Sequence, residues 1–311
     1  MHGLCKKILT AISFLLLTSA YTFSQKTYDL DGLRDLTNYW EIDVSLGANQ
    51  FLGDLGGNKG IGKDGFKDYM FSANRILAGA SGTYNINNYS AVSLGINYAQ
   101  ISGADSFINN TGDMERWRYW RNLSFKSHVI EAAATYTFYP VMFMYRNKVE
   151  LMRFNPYISA GLGVMHFNPK AKLGDKWYAL QPLRLEGQGF QEYPDRKPYA
   201  RTTLFIPINL GVKYYYNNRF GLSAGMMSRL TFTDYIDDIS TTYIDPALFS
   251  KYFTPEKAAI ASQLYARSLK PEKVRPDIIK ADNTDKDSYA TFYLKLSIRL
   301  DKKLYIYYPK L

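Results

Sequence analysis

The sequence predicts an all-β fold, namely an antiparallel outer-membrane β-barrel of about eight strands with long external loops and one helix in the last loop. Three observations predict it. Eight segments alternate between apolar and polar residues, the charged residues of these segments all share the polar face, and long links alternate with shorter ones along the chain. A soluble antiparallel sandwich, whose strands also alternate, is the competing interpretation.

The first 24 residues have the layout of a secretory signal peptide. Lys6 and Lys7 precede an apolar run from Ile8 to Leu17, and small residues follow it. We therefore divide the 311-residue chain into a signal peptide (1–24), a periplasmic N-terminal segment (25–39), the barrel (40–300) and a periplasmic C-terminal tail (301–311). The single cysteine, Cys5, leaves with the signal, so the mature chain has no disulfide.

Composition narrows the class of protein further. An aromatic content of 16% argues against a disordered chain. After residue 20, no stretch approaches the roughly 20 apolar residues that a membrane-spanning helix requires. The formal net charge of +10 suggests nucleic acid, but no nucleic-acid-binding motif accompanies it, and we expect no nucleic-acid partner.

Each alternating segment is long enough to cross a bilayer as a tilted strand, for which about 9–11 residues suffice. The predicted strands cover residues 40–50, 72–86, 90–101, 127–139, 156–167, 202–216, 220–232 and 289–300. Tyrosines at their ends, such as Tyr84, Tyr136 and Tyr214, are typical of a membrane interface. These tyrosines and the long apolar rows favour the membrane barrel, and hence a lipid environment, over the sandwich.

The charged residues of the predicted strands indicate what lies inside the barrel. All eight occupy the face opposite the apolar row: Glu41, Asp43, Arg75, Glu131, Lys213, Arg229, Lys295 and Arg299. A charge on the lipid face costs about 2–4 kcal/mol at mid-depth, which explains the segregation. Because eight strands leave room only for side chains, we expect opposite charges to pair and to plug the interior. An anion-selective channel lined by the basic excess is the alternative, and it would need a wider barrel.

The links between strands predict the orientation. The long links are 51–71, 102–126, 168–201 and 233–288, and the shorter ones are 85–89, 140–155 and 217–219. Outer-membrane barrels have short periplasmic turns and long external loops, so both termini should lie in the periplasm. The link 168–201 has room for another hairpin around residues 177–185, which would give ten strands.

The last long loop carries the signals of a helix. Thr254 is a suitable N-cap, Pro255 suits the first helical position, and the residues from Glu256 to Leu269 are mostly good helix formers. We expect an apolar face to pack on the barrel mouth, formed by Ala258, Ala261, Leu264, Tyr265 and Leu269.

The sequence assigns no catalytic residue, no cofactor and no metal site, and we expect no enzyme. The mature chain has two histidines, His128 and His166, both on the apolar face near strand ends, where a structural role is the commoner one. The acidic residues Asp234, Asp237 and Asp238 leave two interpretations open. Calcium binding is one, and capping of loop backbone, the commoner role of Asp in such segments, is the other.

Several segments resemble the PorG family of outer-membrane proteins. They cover residues 41–55, 155–163, 206–214 and 231–241, within a similarity that spans about 39–300. The more specific features are an early Gly-Asp-Leu and a Thr-Asp-Tyr-x-Asp-Asp-x-Ser-Thr segment, which contain Gly53, Asp54, Asp234, Tyr235, Asp237 and Asp238. The glycine-rich and Asn-Pro-Tyr strand segments are less specific, because many small barrels contain them.

The resemblance implies a location in the outer membrane of a Gram-negative bacterium and a structural role in type IX protein secretion, a system found in gliding and pathogenic species. Family members are associated with the periplasmic ring of the lipoprotein PorK and its partner PorN. The largest periplasmic turn is the candidate contact, since Met, aromatic residues and Arg are enriched at interfaces: Met142, Phe143, Met144, Tyr145 and Arg146. Capping of the barrel floor is the other interpretation of this turn. A free-standing OmpA-like barrel for envelope integrity or adhesion is the competing function.

Overall fold

A computed structural model describes residues 38–53, 55, 74–107, 113–145, 153–217, 219–281 and 286–300. The predicted signal peptide and C-terminal tail, together with Asp54 and Arg146, lie outside these residues. Nine strands follow in chain order: β1 (Tyr39–Leu52), β2 (Arg75–Asn87), β3 (Ser90–Ala104), β4 (Ser124–Phe138), β5 (Phe154–Leu173), β6 (Lys176–Ala179), β7 (Thr202–Tyr215), β8 (Phe220–Thr231) and β9 (Ser288–Arg299).

Eight of these strands close into an antiparallel barrel. In the ring, each strand pairs with the next along the chain, except that β5 pairs with β7 instead of β6, and β9 pairs with β1 to complete the ring. The predicted eight-stranded antiparallel barrel is therefore confirmed. The link 168–201 does contain a hairpin, but β6 pairs only with the outer end of β5. From His166 toward the opposite end of β5, the strand pairs with β7 instead. The hairpin therefore lies outside the closed ring, and the ten-stranded alternative is wrong.

The two faces of the wall have the polarity of a membrane barrel. The apolar row of each strand points outward, where Leu46, Leu94 and Leu162 are each more than 60% exposed, and the polar row points inward. A soluble sandwich buries its apolar rows between two sheets, so this exposure contradicts the sandwich interpretation. We call this outward surface the apolar belt; it includes Ile42, Val44, Leu46, Leu94, Ile96, Ile130, Leu162, Val164, Leu204, Leu294 and Leu296.

The long loops fold together into a cap over one end of the barrel. The cap comprises residues 105–107, 113–123, 174–201, 232–281 and 286–287, and its apolar core is continuous with the side chains at the barrel mouth. Its helices are α1 (Asp113–Arg121), α3 (Ala247–Tyr252) and α4 (Pro255–Tyr265); α2 (Pro140–Met144) lies at the opposite end of the barrel. No helix in the described part of the chain is long and apolar enough to cross a membrane.

The helix predicted in the last loop is α4. Thr254 is its N-cap, Pro255 begins it, and Ala258, Ala261, Leu264 and Tyr265 are buried as expected. The helix ends at Tyr265, however, and Leu269 is 54% exposed, so the expected extension to Leu269 is wrong. The backbone N–H of Leu269 instead donates to the Trp120 carbonyl of α1, which draws the chain away from the helix axis. The prediction of one helix in this loop also missed α3.

The end of the barrel opposite the cap has an aromatic floor. Tyr39, Tyr139, Met142 and Tyr157 pack together with Ala91, and all five are buried. Met142 belongs to α2, which begins directly after β4 with Pro140 at its first turn. The first residue of β1 and the last residue of β9 lie at this end of the barrel, as do the turns that join β2 to β3 and β7 to β8.

Candidate functional site

The barrel interior contains three ion pairs, of which two cross the lumen and the third, Asp43–Lys295, joins the neighbouring strands β1 and β9. They involve six of the eight charged residues that the sequence places on the inner face, with nitrogen–oxygen distances in parentheses: Glu41–Lys213 (2.5 Å), Glu131–Arg229 (2.7 Å) and Asp43–Lys295 (3.8 Å). The first two pairs are almost fully buried, and the third is partly accessible through Lys295. Buried pairs stabilise a fold only when their remaining donors and acceptors are also satisfied.

The Glu131–Arg229 pair is the most completely bonded of the three. Arg229 donates to both carboxylate oxygens of Glu131, and Asn97 and Tyr289 donate to the same carboxylate from β3 and β9. Arg229 also donates to the Thr291 hydroxyl. The guanidinium carbon lies 4.7 Å from the centre of the Tyr289 ring, a distance suited to a cation–π contact. This cluster lies on the cap side of the lumen.

The other acidic residues are held by hydroxyl and amide donors. Thr83 and Ser81 donate to Asp43 Oδ2, at 2.5 and 3.0 Å. Asn85 donates to Glu41. The Arg299 guanidinium lies 4.0 Å from the ring centre of Tyr39 on the floor side.

Arg75 is the eighth charged residue of the inner face. It is half-buried at the cap end of β2, and its guanidinium donates to the Asn74 carbonyl. Among the eight residues that the sequence assigns to this face, Arg75 and Arg299 therefore lie near opposite ends of the barrel, and the three ion pairs lie between those ends.

The described part of the interior contains a small cavity of about 80 Å³ between the cap and the floor. A water molecule needs about 10–15 Å³ on the same measure, so the cavity has room for several waters. Tyr157 and Tyr293 are joined by a hydroxyl contact of 2.5 Å, and Tyr293 donates to Asn209, which forms a polar chain across the barrel. Gly211 lies directly opposite Tyr157, and a side chain there would collide with the tyrosine hydroxyl.

Of the five residues proposed for partner contact, the four that the structure describes do not share one environment. Met142 is buried in the floor. Phe143 packs edge-on against Tyr89 and lies beside Phe138, so it belongs to an aromatic group at the outer edge of the floor. Phe143 is nevertheless 40% exposed, Met144 is 72% exposed and Tyr145 is 36% exposed, so these three form the accessible surface of the described part of the turn.

The acidic segment of the predicted family motif lies inside the cap. The Tyr199 hydroxyl donates to Asp238 Oδ1 at 2.5 Å, Ser240 donates to Asp234, and the Ile239 backbone N–H donates to Asp237. Burial raises the pKa of Asp238 to about 7, and Lys280 offsets part of this rise. These carboxylates therefore act as acceptors within the loop, which favours the capping interpretation. Within the described ranges, no group of three or more His, Cys, Asp or Glu side chains is placed where it could hold a metal ion.

The other motif residues lie next to this segment. Tyr235 stacks on Tyr199 with the ring centres 4.5 Å apart, and burial raises the pKa of Tyr235 to about 12. Gly53 follows β1 and lies against the Asp287 carboxylate, whose other oxygen accepts from the Ile236 backbone N–H. The structure thus brings Gly53 to the Asp234–Asp238 segment through Asp287.

Two buried charged groups of the cap were missed by sequence reasoning. Arg121 forms a bidentate salt bridge with Asp105, and both nitrogen–oxygen distances are 2.8 Å. Glu186 accepts from Ser240 and Thr241 and lies 3.5 Å from Lys280. Asp105 and Arg121 lie in the link between β3 and β4, and Glu186 and Lys280 lie in two other loops. None of the four belongs to a periodic pattern, so no sequence signal connects the partners.

Comparisons with known proteins give a likeness of fold. No protein-family model and no curated protein matches this chain. Among solved structures it is similar to neisserial surface protein A, with a TM-score of 0.37, 11% identity and coverage of 84% of this chain and 97% of that one. It is also similar to the outer membrane protein OprG of Pseudomonas aeruginosa (TM-score 0.35, 10% identity, 88% and 99% covered). A third is Ail, the attachment invasion locus protein of Yersinia pestis (TM-score 0.34, 9% identity, 85% and 99% covered).

Proposed function

We propose that this chain is a closed outer-membrane barrel with a structural role, and that it anchors a periplasmic ring of the type IX secretion machinery to the membrane. The observation that carries the structural role is the closure of the barrel at both ends, by the cap and by the floor, with three ion pairs between them. A barrel of this kind offers a rigid, lipid-embedded body and needs no catalytic residue.

The apolar belt supports the membrane location. A belt of outward leucine, isoleucine and valine side chains costs free energy in water, at about 25 cal/mol for each Å² of apolar surface, and lipid removes this cost. Aromatic side chains border the belt on the floor side, where Tyr84, Tyr136 and Phe138 point outward. Aromatic girdles of this kind mark the membrane interface in outer-membrane barrels.

The lengths of the loops support an orientation with the cap outside the cell. Outer-membrane barrels have short periplasmic turns and long external loops, and the floor of this barrel has the shorter connections. In this orientation both chain termini emerge on the periplasmic side, because β1 begins and β9 ends at the floor.

The assignment to type IX secretion rests on the resemblance to the PorG family, with the PorK–PorN ring as the proposed partner. The surface proposed to meet the ring is formed by Met144 and Tyr145, within the exposed part of the turn after β4. Met and aromatic side chains are enriched at protein interfaces. Phe143 supports this surface from the membrane side through its contact with Tyr89.

Affinity purification from native outer membranes in mild detergent tests this proposal. A tagged wild-type chain should recover the ring lipoprotein PorK in near-stoichiometric amount. The double variant Met144→Asp/Tyr145→Asp should release it while the barrel still shows a heat-dependent gel shift. The matched control is Leu269→Asp/Ile279→Asp, which places the same two charges on exposed apolar residues of the cap.

The possible results separate the competing functions. Recovery of the wild-type barrel alone, while the ring is intact in the same extract, would refute the anchoring role and favour a free-standing barrel for envelope integrity or adhesion. Undiminished recovery with the double variant would remove the turn after β4 as the contact surface. A chain that stays in the soluble fraction would refute the membrane location itself.

A further inference from the structure

Two lysines of like charge lie side by side on the outer surface of the barrel. Lys126 of β4 and Lys170 of β5 are direct partners in the strand register. Both point outward, because the residues that flank them in sequence are buried, and both are half-buried themselves. Like charges directly opposite one another destabilise a sheet. In the described part of the chain, no carboxylate lies within 4 Å of either ammonium group to offset this cost.

Further basic residues extend this pair along the wall. Lys172 occupies the next outward position of β5, opposite Trp177, and the Lys126 ammonium lies 6.0 Å from the Trp177 ring. The carboxylate on this side of the β5–β6 hairpin is Asp175 at its tip, which is fully exposed and 3.6 Å from Lys172.

On the side of the lysine pair that faces the apolar belt, two further basic residues follow, His128 and Arg201. His128 is the outward residue of β4 next to Lys126, and its register partner is Asn168 of β5. The Arg201 guanidinium donates to the Asn168 side chain at 3.3 Å. We call the set the basic rim: Lys126, His128, Lys170, Lys172 and Arg201.

The basic rim lies at the height where lipid headgroups begin. The outward apolar residues of β4 run from Phe138 to Ile130. At about 3.3 Å per residue and a tilt of roughly 40°, the step from Phe138 to His128 spans about 25 Å of height, which is the height of the apolar band in such barrels. Lys126 then lies about 5 Å above the hydrocarbon boundary. Trp177, which is 50% exposed, is suited to the same interface.

We propose that the basic rim binds the phosphate groups of a phosphorylated lipid in the outer leaflet, with Lys126 and Lys170 sharing one phosphate. This inference rests on the membrane location proposed above. A phosphate between the two ammonium groups replaces their repulsion by two charge-assisted hydrogen bonds, and Lys binds phosphate well as a point charge. The acyl chains of the same lipid then lie on the apolar belt directly below, on Ile130 and Val164.

Native mass spectrometry of the full-length protein in detergent, titrated with bisphosphorylated lipid A, tests the inference. Each basic residue near a membrane surface contributes about 1 kcal/mol to binding anionic lipid, so Lys126→Gln/Lys170→Gln should weaken binding about thirty-fold. Lys126→Arg/Lys170→Arg should retain most of the affinity. The matched control Lys197→Gln/Arg275→Gln removes the same charge from exposed cap residues and should leave the affinity unchanged.

Further measurements identify which chemical group the basic rim binds. Dephosphorylated lipid A should bind wild type as weakly as the phosphorylated lipid binds the Gln double variant. Inorganic phosphate at millimolar concentration should not displace the lipid. Equal affinity of wild type and the Gln double variant would overturn the inference, as would equal binding of the dephosphorylated lipid. Displacement by inorganic phosphate would show a site for the free anion rather than for a lipid.

The failure of the inference is distinguishable from the failure of the membrane location. Wild type should float with lipid vesicles and show a heat-dependent gel shift. Loss of both would overturn the membrane location and the lipid site together. Vesicle insertion without any preference for the phosphorylated lipid would overturn the basic rim alone.

Discussion

Replacing Glu131 by Gln should destabilise the barrel strongly, because it leaves the Arg229 guanidinium buried without its counter-ion. Both side chains are about 1% exposed, and the shortest nitrogen–oxygen distance between them is 2.7 Å. Asn97 and Tyr289 also donate to the Glu131 carboxylate. The amide of Gln offers one acceptor oxygen in place of two and directs an NH₂ group at one of these donors.

The magnitude follows from the burial of the pair. Removing one partner of a buried ion pair costs about 3–5 kcal/mol, since the remaining charge loses both water and counter-ion. At about 1.4 kcal/mol for each factor of ten, the ratio of folded to unfolded protein should fall by roughly a hundred- to several-thousand-fold. The double variant Glu131→Gln/Arg229→Met should recover much of this loss, because no buried charge then remains at this position.

Urea titration of the protein in lipid vesicles, with the folded fraction read from the heat-dependent gel shift, measures the effect. The matched control is Glu192→Gln, which breaks the exposed 2.5 Å contact between Glu192 and Lys251 on the cap. Exposed ion pairs contribute little to the free energy of unfolding, so the control should leave the urea midpoint nearly unchanged. A loss below about 1 kcal/mol for Glu131→Gln would refute the reasoning, because it would show that water inside the barrel solvates Arg229.

Three further predictions concern the cap and the wall. Burial raises the pKa of Asp238 to about 7, whereas an unfolded Asp ionises near pH 4, so the folded cap should lose stability to urea as the pH rises from about 4 to 7. Asp238→Asn, which tolerates the backbone φ of 69°, should remove this pH dependence, and an unchanged profile would contradict the burial of a protonated carboxyl. Gly211→Val should lower the free energy of unfolding by about 1–3 kcal/mol, because the added side chain meets the Tyr157 hydroxyl; an unshifted urea midpoint would mean that the ring moves aside. Asp105→Asn leaves the Arg121 guanidinium buried in the cap, so amide hydrogen exchange in residues 113–121 should speed up about tenfold or more while the barrel strands stay protected; equal protection would show that the pair does not hold α1.

The barrel itself could be predicted from the sequence because the face that each side chain occupies follows from its position along its own strand. Alternation with a period of two assigns each residue to a face, and the cost of charge in lipid fixes which face is inside. Lys213 and Glu41 are assigned to the lumen on this basis alone. Their partnership required the structure, since β1 and β7 are not neighbours in the ring and the contact crosses the lumen.

The cap could not be predicted beyond α4. Asp105, Arg121, Glu186 and Lys280 lie in three different loops, and their contacts depend on how those loops pack over the mouth. No periodic pattern marks such residues. The same limit applies to the turn after β4, where residue types suggested an interface. The rotation of the short helix α2 decided that Met142 lies in the floor while Met144 is exposed.

The single-channel conductance of the full-length protein in a planar lipid bilayer tests the central claim most directly. A barrel closed by the cap and the floor, with three ion pairs inside its lumen, should insert without producing conductance steps. The heat-dependent gel shift of the recovered protein would verify that it was folded. Regular ohmic steps that scale with salt concentration would contradict the account, because they would require a continuous water-filled path through the ion pairs and the floor.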